Sequence, residues 1–409
     1  MKINPANQII VASRNYQLRS VQKNEQQGVD IKTNTEKIKK VTMMTSFAAA
    51  LLGVVAYLNF GKKFNKNINP ISLNGIRNFS KKTESIIKIG VENVENIVRK
   101  HNINDYDSSK VFKINLHIHS TESDGKLHPL EILNQALQCA QKLPENEKFV
   151  FSVTDHDSID GVRQIAKEIE KNPKKYSKLE FVPGIELSTI HHNKSLSKKP
   201  VELDFLIYGF DVEDKEIINE VARRKNYLLD KTLALFEDIN KKYPNMRLTK
   251  QDIINSQNKT VKNLCSNGYL KALRDWLEEY LGEDLDKNFL LNKIKVHFKD
   301  ESFAYDANIS FENAVLLAKR MNAFSSIAHP GKFNFGNAEL IENSTEKLVE
   351  DIFVTFLKNG GNAVEYNYMS YNPKKSWWPK VEGILKDLKA LYDKTGGYDT
   401  HGGNIGAKL

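Results

Sequence analysis

Cysteine is nearly missing from this chain: there are two in 409 residues, Cys139 and Cys265, far apart and forming no C-x-x-C pair. That scarcity excludes a disulfide framework, a thiolate zinc finger and an iron–sulfur centre, and reads as a reduced, intracellular chain. There is no internal repeat and no low-complexity tract beyond a polar leader. With 40% apolar and 27% charged residues, global disorder and a fibrous repeat are excluded and a sizeable core is within reach. The formal charge of +9 is unevenly spread: residues 1–110 hold 18 basic and 8 acidic residues, so the remainder is close to neutral. A basic pull toward nucleic acid therefore describes the first quarter and says little about the rest.

Residues 1–40, rich in Asn, Gln, Lys and Ser, read as a disordered polar leader. A 20-residue run without a charge follows at 41–60, VTMMTSFAAALLGVVAYLNF, between Lys39-Lys40 and Lys62-Lys63. At about 1.5 Å per residue such a helix just spans a bilayer core of roughly 30 Å, so it reads as a single transmembrane anchor, with a buried helix or a cleaved signal as alternatives. Basic residues on both sides leave the orientation open. The expectation is a membrane-anchored chain with its main domain in the cytoplasm, or a cytoplasmic chain if the run is no anchor. A chain begun near Asp105 is expected to be soluble. Residues 61–110 are basic and polar, with helical spacing at Ile86, Ile87, Val91, Val94, Ile97 and Val98, and read as a tether.

Beyond residue 110 the texture changes. KINLHIH, FVFSVTD, LEFVPGIEL, FLIYGFD, FSSIAHP and NAVEYNY read as strands, with amphipathic helices such as PLEILNQALQCAQKL between them. The alternation predicts an α/β domain, barrel-like or doubly wound. Residues 214–320 are almost wholly helical in pattern and read as an inserted cap between two barrel segments, 111–213 and 321–409.

Five histidines, His117, His119, His156, His329 and His401, fall at or just past the ends of strand-like runs, mostly beside carboxylates. Strand ends are where α/β domains build sites. On a strand, His117 and His119 point to one face, a spacing suited to one metal ion, though by itself equally suited to a solvated polar face. Asp124 lies in Ser123-Asp124-Gly125, where glycine permits a sharp turn; Thr154-Asp155-His156-Asp157 and Pro183-Gly184-Ile185-Glu186 each deliver polar residues past a buried run.

In order, these motifs and then Ala328-His329-Pro330-Gly331 and Gly397-Tyr398-Asp399-Thr400-His401-Gly402 resemble the PHP (polymerase and histidinol phosphatase) superfamily of metal-dependent phosphoesterases, over roughly Phe112 to Gly406. The helical insert before Ala-His-Pro looks most like the stand-alone branch that hydrolyses nucleoside 3′,5′-bisphosphates and trims short RNA from the 5′ end. The resemblance implies a distorted (β/α)7 barrel carrying two or three divalent ions of manganese, iron or zinc. By the same resemblance, one ion takes His117, His119, Glu186 and Asp399, a second Asp124, His156 and His401, and a third shares Glu186 with His329. Hydrolysis by a metal-activated hydroxide is implied, with an acid such as Asp157 or a metal-bound water expected to assist the leaving group. The donor chemistry agrees independently, since imidazole and carboxylate without thiolate suit these metals.

Where the family usually has a histidine before the cap, this chain has Asp204, which reads as a ligand of the third ion. His191 and His192 are alternatives in a Lys- and Ser-rich loop. Lys332 stands where the stand-alone branch often has a basic residue and is expected to meet substrate phosphate. Tyr398 replaces a small serine and is expected to narrow the phosphate pocket. His101, His128 and His297 read as surface residues, and both cysteines as packed. Arg223-Arg224-Lys225, Lys241-Lys242 and Trp377-Trp378 offer weak signals for an RNA backbone or a stacked base. The expected partner is a phosphorylated small molecule or a short RNA end; no protein partner is expected. The other readings are a histidinol-phosphate-type phosphatase and a non-catalytic, membrane-tethered metal-binding domain.

Overall fold

A computed structural model describes residues 90–101, 113–253, 269–282, 285–299, 301–333, 335, 338–341, 344–367, 378–388, 393–402 and 405. The expected leader, the expected anchor at 41–60 and most of the expected tether lie outside the described residues. Among those described, no helix is long and apolar enough to cross a membrane.

Nine strands are described, in two sheets. The first holds β1 (Ile114–Asn115), β2 (Phe149–Phe151) and β3 (Leu179–Phe181), all parallel. The second holds β4 (Gly184–His191), β5 (Val201–Tyr208), β6 (Ile309–Ser310), β7 (Phe324–Ile327), β8 (Ala363–Asn367) and β9 (Asp393–Gly397), in the order β6-β4-β5-β7-β8-β9. Only β5 runs against its neighbours, because it returns from β4 as a hairpin. The sheets meet through two isolated parallel bridges, His156 with Glu186 and Ile118 with Thr400. The α/β alternation read from the sequence is thus present, as two sheets linked by these bridges. The run LEFVPGIEL divides at Pro183 into β3 and β4, since proline has no N–H to donate to a ladder.

Helices cover the strands in the usual alternating way. The Pro129–Gln141 helix shows why it starts where it does: His128 Nδ1 accepts from Leu130 N, Glu131 accepts from His128 N at 2.7 Å, and proline occupies the first turn. Its buried face of Ile132, Leu133, Ala136, Cys139 and Ala140 joins the main core.

Two segments sit differently from the sequence reading. Within the expected tether, Gly90–Lys100 is a helix whose Val94, Ile97 and Val98 are buried against Leu116, Val150, Val182, Leu206, Tyr208 and Phe324. Gly90 N donates to Gly209 O and Val91 N to Asn322 O, both at 3.0 Å. Gly209 follows the antiparallel β5 and Asn322 precedes β7, which puts this helix at the end of the sheet opposite the histidines. Residues 90–100 are therefore part of the packed domain. Within the expected cap, Lys215–Lys242, Tyr269–Leu281, Lys287–Phe298 and Glu301–Ala307 are helices, but Phe311–Arg320 packs Phe311, Ala314, Val315, Leu317 and Ala318 into the main core. The cap has a core of its own, built from residues such as Leu235, Phe236, Ile239, Leu273, Leu277 and Leu290. Helical periodicity marked the interval as helical but not the core that each apolar face meets.

Candidate metal centre

The site forms where β1, β2, β7 and β9 end, with Glu186 on β4 and Asp204 on β5. Backbone pairing fixes it from both sides. His119 N donates to Thr400 O at 2.9 Å and Thr400 N to His117 O at 3.1 Å, which sets the His-x-His segment beside Asp399 and His401. Asp157 N donates to Glu186 O at 2.8 Å, which sets His156 beside Glu186.

Asp124 is delivered by a turn in which Ser120 O accepts from both Ser123 N and Gly125 N. A Cβ on Gly125 would lie 2.1 Å from His119 O, so glycine is required for the turn to close against the histidine strand. Six non-glycine residues among those described have positive φ, and three of them are Asp157, His329 and Asp399. Backbone strain is thus concentrated at this site.

The side chains converge on Glu186. Its Oε2 lies 3.0 Å from His117 Nε2, 3.2 Å from His119 Nε2 and 3.4 Å from His156 Nδ1, while Oε1 lies 3.1 Å from His329 Nε2. Asp399 Oδ1 is 3.3 Å from His119 Nε2 and 3.4 Å from His401 Nδ1. Asp124 Oδ2 is 3.3 Å from His401 Nε2. Asp204 Oδ2 is 3.7 Å from His329 Nε2.

Four groups have ligand atoms all within 4.8 Å of one another: His119, Asp124, His156 and His401; His117, His119 and Glu186; His117, His329 and Asp399; and His156, Glu186 and Asp204. The grouping differs from the implied one in three respects: Asp399 groups with His117 and His329 instead of with His119 and Glu186, and two further ligands shift. His119 also joins the Asp124, His156 and His401 set, and Asp204 groups with His156 and Glu186 while lying near His329.

Burial and mutual charge set the proton affinities. Burial alone would lower His117 and His119, but Glu186 and Glu365 hold His117 well above the ordinary imidazole range, and Asp399 and Glu186 raise His119 to about 9. Burial dominates at His156, which falls to about 4, and at Asp204, which burial and the Glu186 charge push up to about 7. Burial would raise Asp124, Glu186 and Asp399. Neighbouring imidazoles outweigh it, leaving Asp124 at about 2 and holding Glu186 and Asp399 below the usual carboxylate range.

An ion held by His119 would have to displace its proton, so uptake is expected to tighten as pH rises toward about 9, by up to about tenfold per pH unit for each proton displaced. Calorimetric titration at pH 7, 8 and 9 in two buffers of different ionisation heat checks this. Uptake that neither releases protons nor depends on pH would remove His119 from the ligand set.

Asp157 is committed elsewhere. Ser188 N donates to its Oδ1 at 3.1 Å, Ser188 Oγ donates to its Oδ2 at 2.9 Å, and Arg224 Nε of the Lys215–Lys242 helix lies 2.8 Å from Oδ2. These contacts make it an anchor between cap and barrel instead of a free acid for the leaving group. Lys332 Nζ lies 2.6 Å from Asp399 Oδ2; its side chain is 40% exposed and that of His401 39%, which marks the open side of the cluster.

Apart from Arg224, the alternatives and weaker signals have partners other than the clustered ligands. His191 pairs with Asp351 at 2.7 Å, and His192 lies against Ser197 O and Tyr305. Arg223 pairs with Glu220, Lys241 with Asp238 and Lys242 with Asp286. His297 meets Asp238, and Cys139 is buried. His101 is half-buried. Tyr398 is buried, with its N–H on Asn115 Oδ1. Cys265, Trp377 and the Trp378 side chain lie outside the described residues.

Two buried acids were given no role by the sequence. Asp155 accepts from Ser120 N, Ser120 Oγ and Ser123 Oγ, each at 2.7 Å, and so holds the turn that carries Asp124. Glu365, on β8, accepts from His117 Nδ1 at 2.8 Å and His329 N at 2.7 Å. The available signal was a lone acid inside a strand run, NAVEYNY, since a buried carboxylate needs partners.

No family model matches the chain, and no curated protein does. Among solved structures, an inferred metal-dependent phosphoesterase from Bifidobacterium adolescentis is 16% identical, with a TM-score of 0.47 over 72% of this chain and 91% of that one. An amidohydrolase from Chromobacterium violaceum, with bound sulfate and no metal, is 18% identical, with a TM-score of 0.45 over 72% and 90%. A two-domain protein from Bacteroides vulgatus containing a predicted PHP-like metal-dependent phosphoesterase is 13% identical, with a TM-score of 0.30 over 71% of this chain and 52% of that one.

Proposed function

We propose that this chain is a metal-dependent phosphoesterase of the PHP type that hydrolyses a nucleotide or oligonucleotide phosphate. The observation that carries this reading is the Glu186 carboxylate, which has four imidazoles within 3.4 Å, brought from three strand ends.

The residues fit divalent ions. His117 Nε2 and His119 Nε2 face each other at 3.0 Å on the same carboxylate oxygen, an arrangement that two imidazoles reach more readily around a cation than around a shared proton. Asp124 Oδ1 is buried without a hydrogen-bond partner. The ligands proposed are His117, His119, Asp124, His156, Glu186, Asp204, His329, Asp399 and His401, and the donor set suits two or three ions of manganese, iron or zinc. Ions bound there supply positive charge for phosphate oxygens and lower the pKa of water.

The chain's own residues orient the substrate. Lys332 offers a fixed cation at the open rim, where a phosphate oxygen can share it with Asp399. The Arg224–Asp157 contact holds the cap against the loop that carries His156. The helical insertion, through its resemblance to the stand-alone branch, is what favours a nucleotide or RNA end over histidinol phosphate.

Purified full-length protein is expected to hold two or three divalent ions by elemental analysis and to lose phosphoesterase activity with chelator, regaining it with manganese or zinc. The substrate panel is a nucleoside 3′,5′-bisphosphate, a short 5′-phosphorylated RNA and histidinol phosphate. Turnover indifferent to chelator in metal-free protein would sink the reading, and preference for histidinol phosphate would replace the substrate part of it.

A further inference from the structure

We infer that Glu365 is a positioning residue that presents His117 to an ion and fixes the backbone of His329, so that one carboxylate organises two neighbouring ligand groups. This rests on the metal reading above.

Glu365 is 1% exposed, and its two oxygens serve two donors: Oε1 takes His117 Nδ1 at 2.8 Å and Oε2 takes His329 N at 2.7 Å. With Nδ1–H committed to Glu365, the lone pair of neutral His117 lies on Nε2, the atom that faces Glu186 and His119. His329 has φ 25, a conformation that needs outside support, and its amide has that support in Glu365. The pocket around the carboxylate is closed: a Cβ on Gly397 would sit 2.4 Å from Glu365 Oε1 and 2.5 Å from the His117 Cβ.

The chemistry requires a carboxylate in particular. The His329 N–H can only donate and His117 must donate from Nδ1 to keep Nε2 free, so two acceptors are needed. An amide has one. In Glu365→Gln, an amide oxygen kept on His329 N turns the NH2 toward His117 Nδ1, which must then accept and carry its proton on Nε2. That proton occupies the position an ion needs.

The test is calorimetric titration of metal-free, full-length protein with manganese and, separately, zinc, with elemental analysis after gel filtration. Glu365→Gln is expected to bind the ion at His117 about 10–100-fold more weakly, the usual cost of removing a partner behind a ligating histidine. The ion held by His119, Asp124, His156 and His401 is expected to remain, which also shows that the fold is intact. Glu365→Asp keeps both acceptors on a shorter arm and is expected to give an intermediate loss; it decides the matter if the Gln variant does not fold. Wild-type affinity in either folded variant overturns the inference alone. Failure of the wild-type chain to take up either metal overturns it together with the metal reading.

Discussion

Replacing Glu186 with Gln is expected to abolish phosphoester turnover, by at least about 10²–10³-fold, the scale seen when one preorganised charge-stabilising group is removed. The variant should also lose bound metal, because Glu186 takes part in two of the ligand groups and touches His329 of a third. The amide keeps the shape but not the charge: it leaves His117, His119 and His156 clustered around a group that no longer offsets ions or protons. Steady-state rates and elemental analysis on the same preparations check both halves. A variant that keeps its ions and its rate would show that Glu186 only ties the buried histidines together.

The second large effect concerns stability. A chain beginning at Asp105 lacks the Gly90–Lys100 helix and so uncovers the surface under Val94, Ile97 and Val98. Burial of an aliphatic side chain contributes roughly 1.5–3 kcal/mol, so three of them rival the ~5–15 kcal/mol that holds a whole domain together. Such a chain is expected to aggregate or to melt well below one beginning at Thr83, the start of the compact unit that runs to Leu409. Thermal melts followed by circular dichroism distinguish them, and coincident melting would show that the helix is dispensable. Aggregation of the shorter chain would replace the solubility expected of a chain begun near Asp105.

The ligand motifs were legible because each obeys a local rule. A period-2 strand puts His117 and His119 on one face, and a turn glycine marks Asp124. Strand ends expose Asp155-His156, Glu186 and His329 as polar groups after apolar runs. The sharing of ligands was not legible, since it depends on which strand ends meet. That His119 lies within reach of both Glu186 and His401 follows from the Ile118–Thr400 and His156–Glu186 bridges, which no local pattern contains. β9, the stretch DKTGG, was missed because two glycines and an aspartate disguise a strand; Gly397 is there because a side chain would run into His117 and Glu365. The Gly90–Lys100 helix was recognised by its period but assigned to a tether, because its exposed face of Glu92, Asn93, Asn96, Arg99 and Lys100 resembles the polar sequence before it. Asp204 was legible as an acid out of place, and its proximity to His156, Glu186 and His329 supports the ligand role proposed for it.

The cap carries a core whose residues are separate from those of the barrel core. Its interior can therefore accumulate substitutions, or exchange one packing for another, without disturbing the geometry around Glu186. The Arg224–Asp157 contact is the point at which such drift would reach the chemistry, because Asp157 is the sequence neighbour of His156. Change in the cap interior and change around Glu186 thus fall on different sets of residues, and one can proceed while the other stands still.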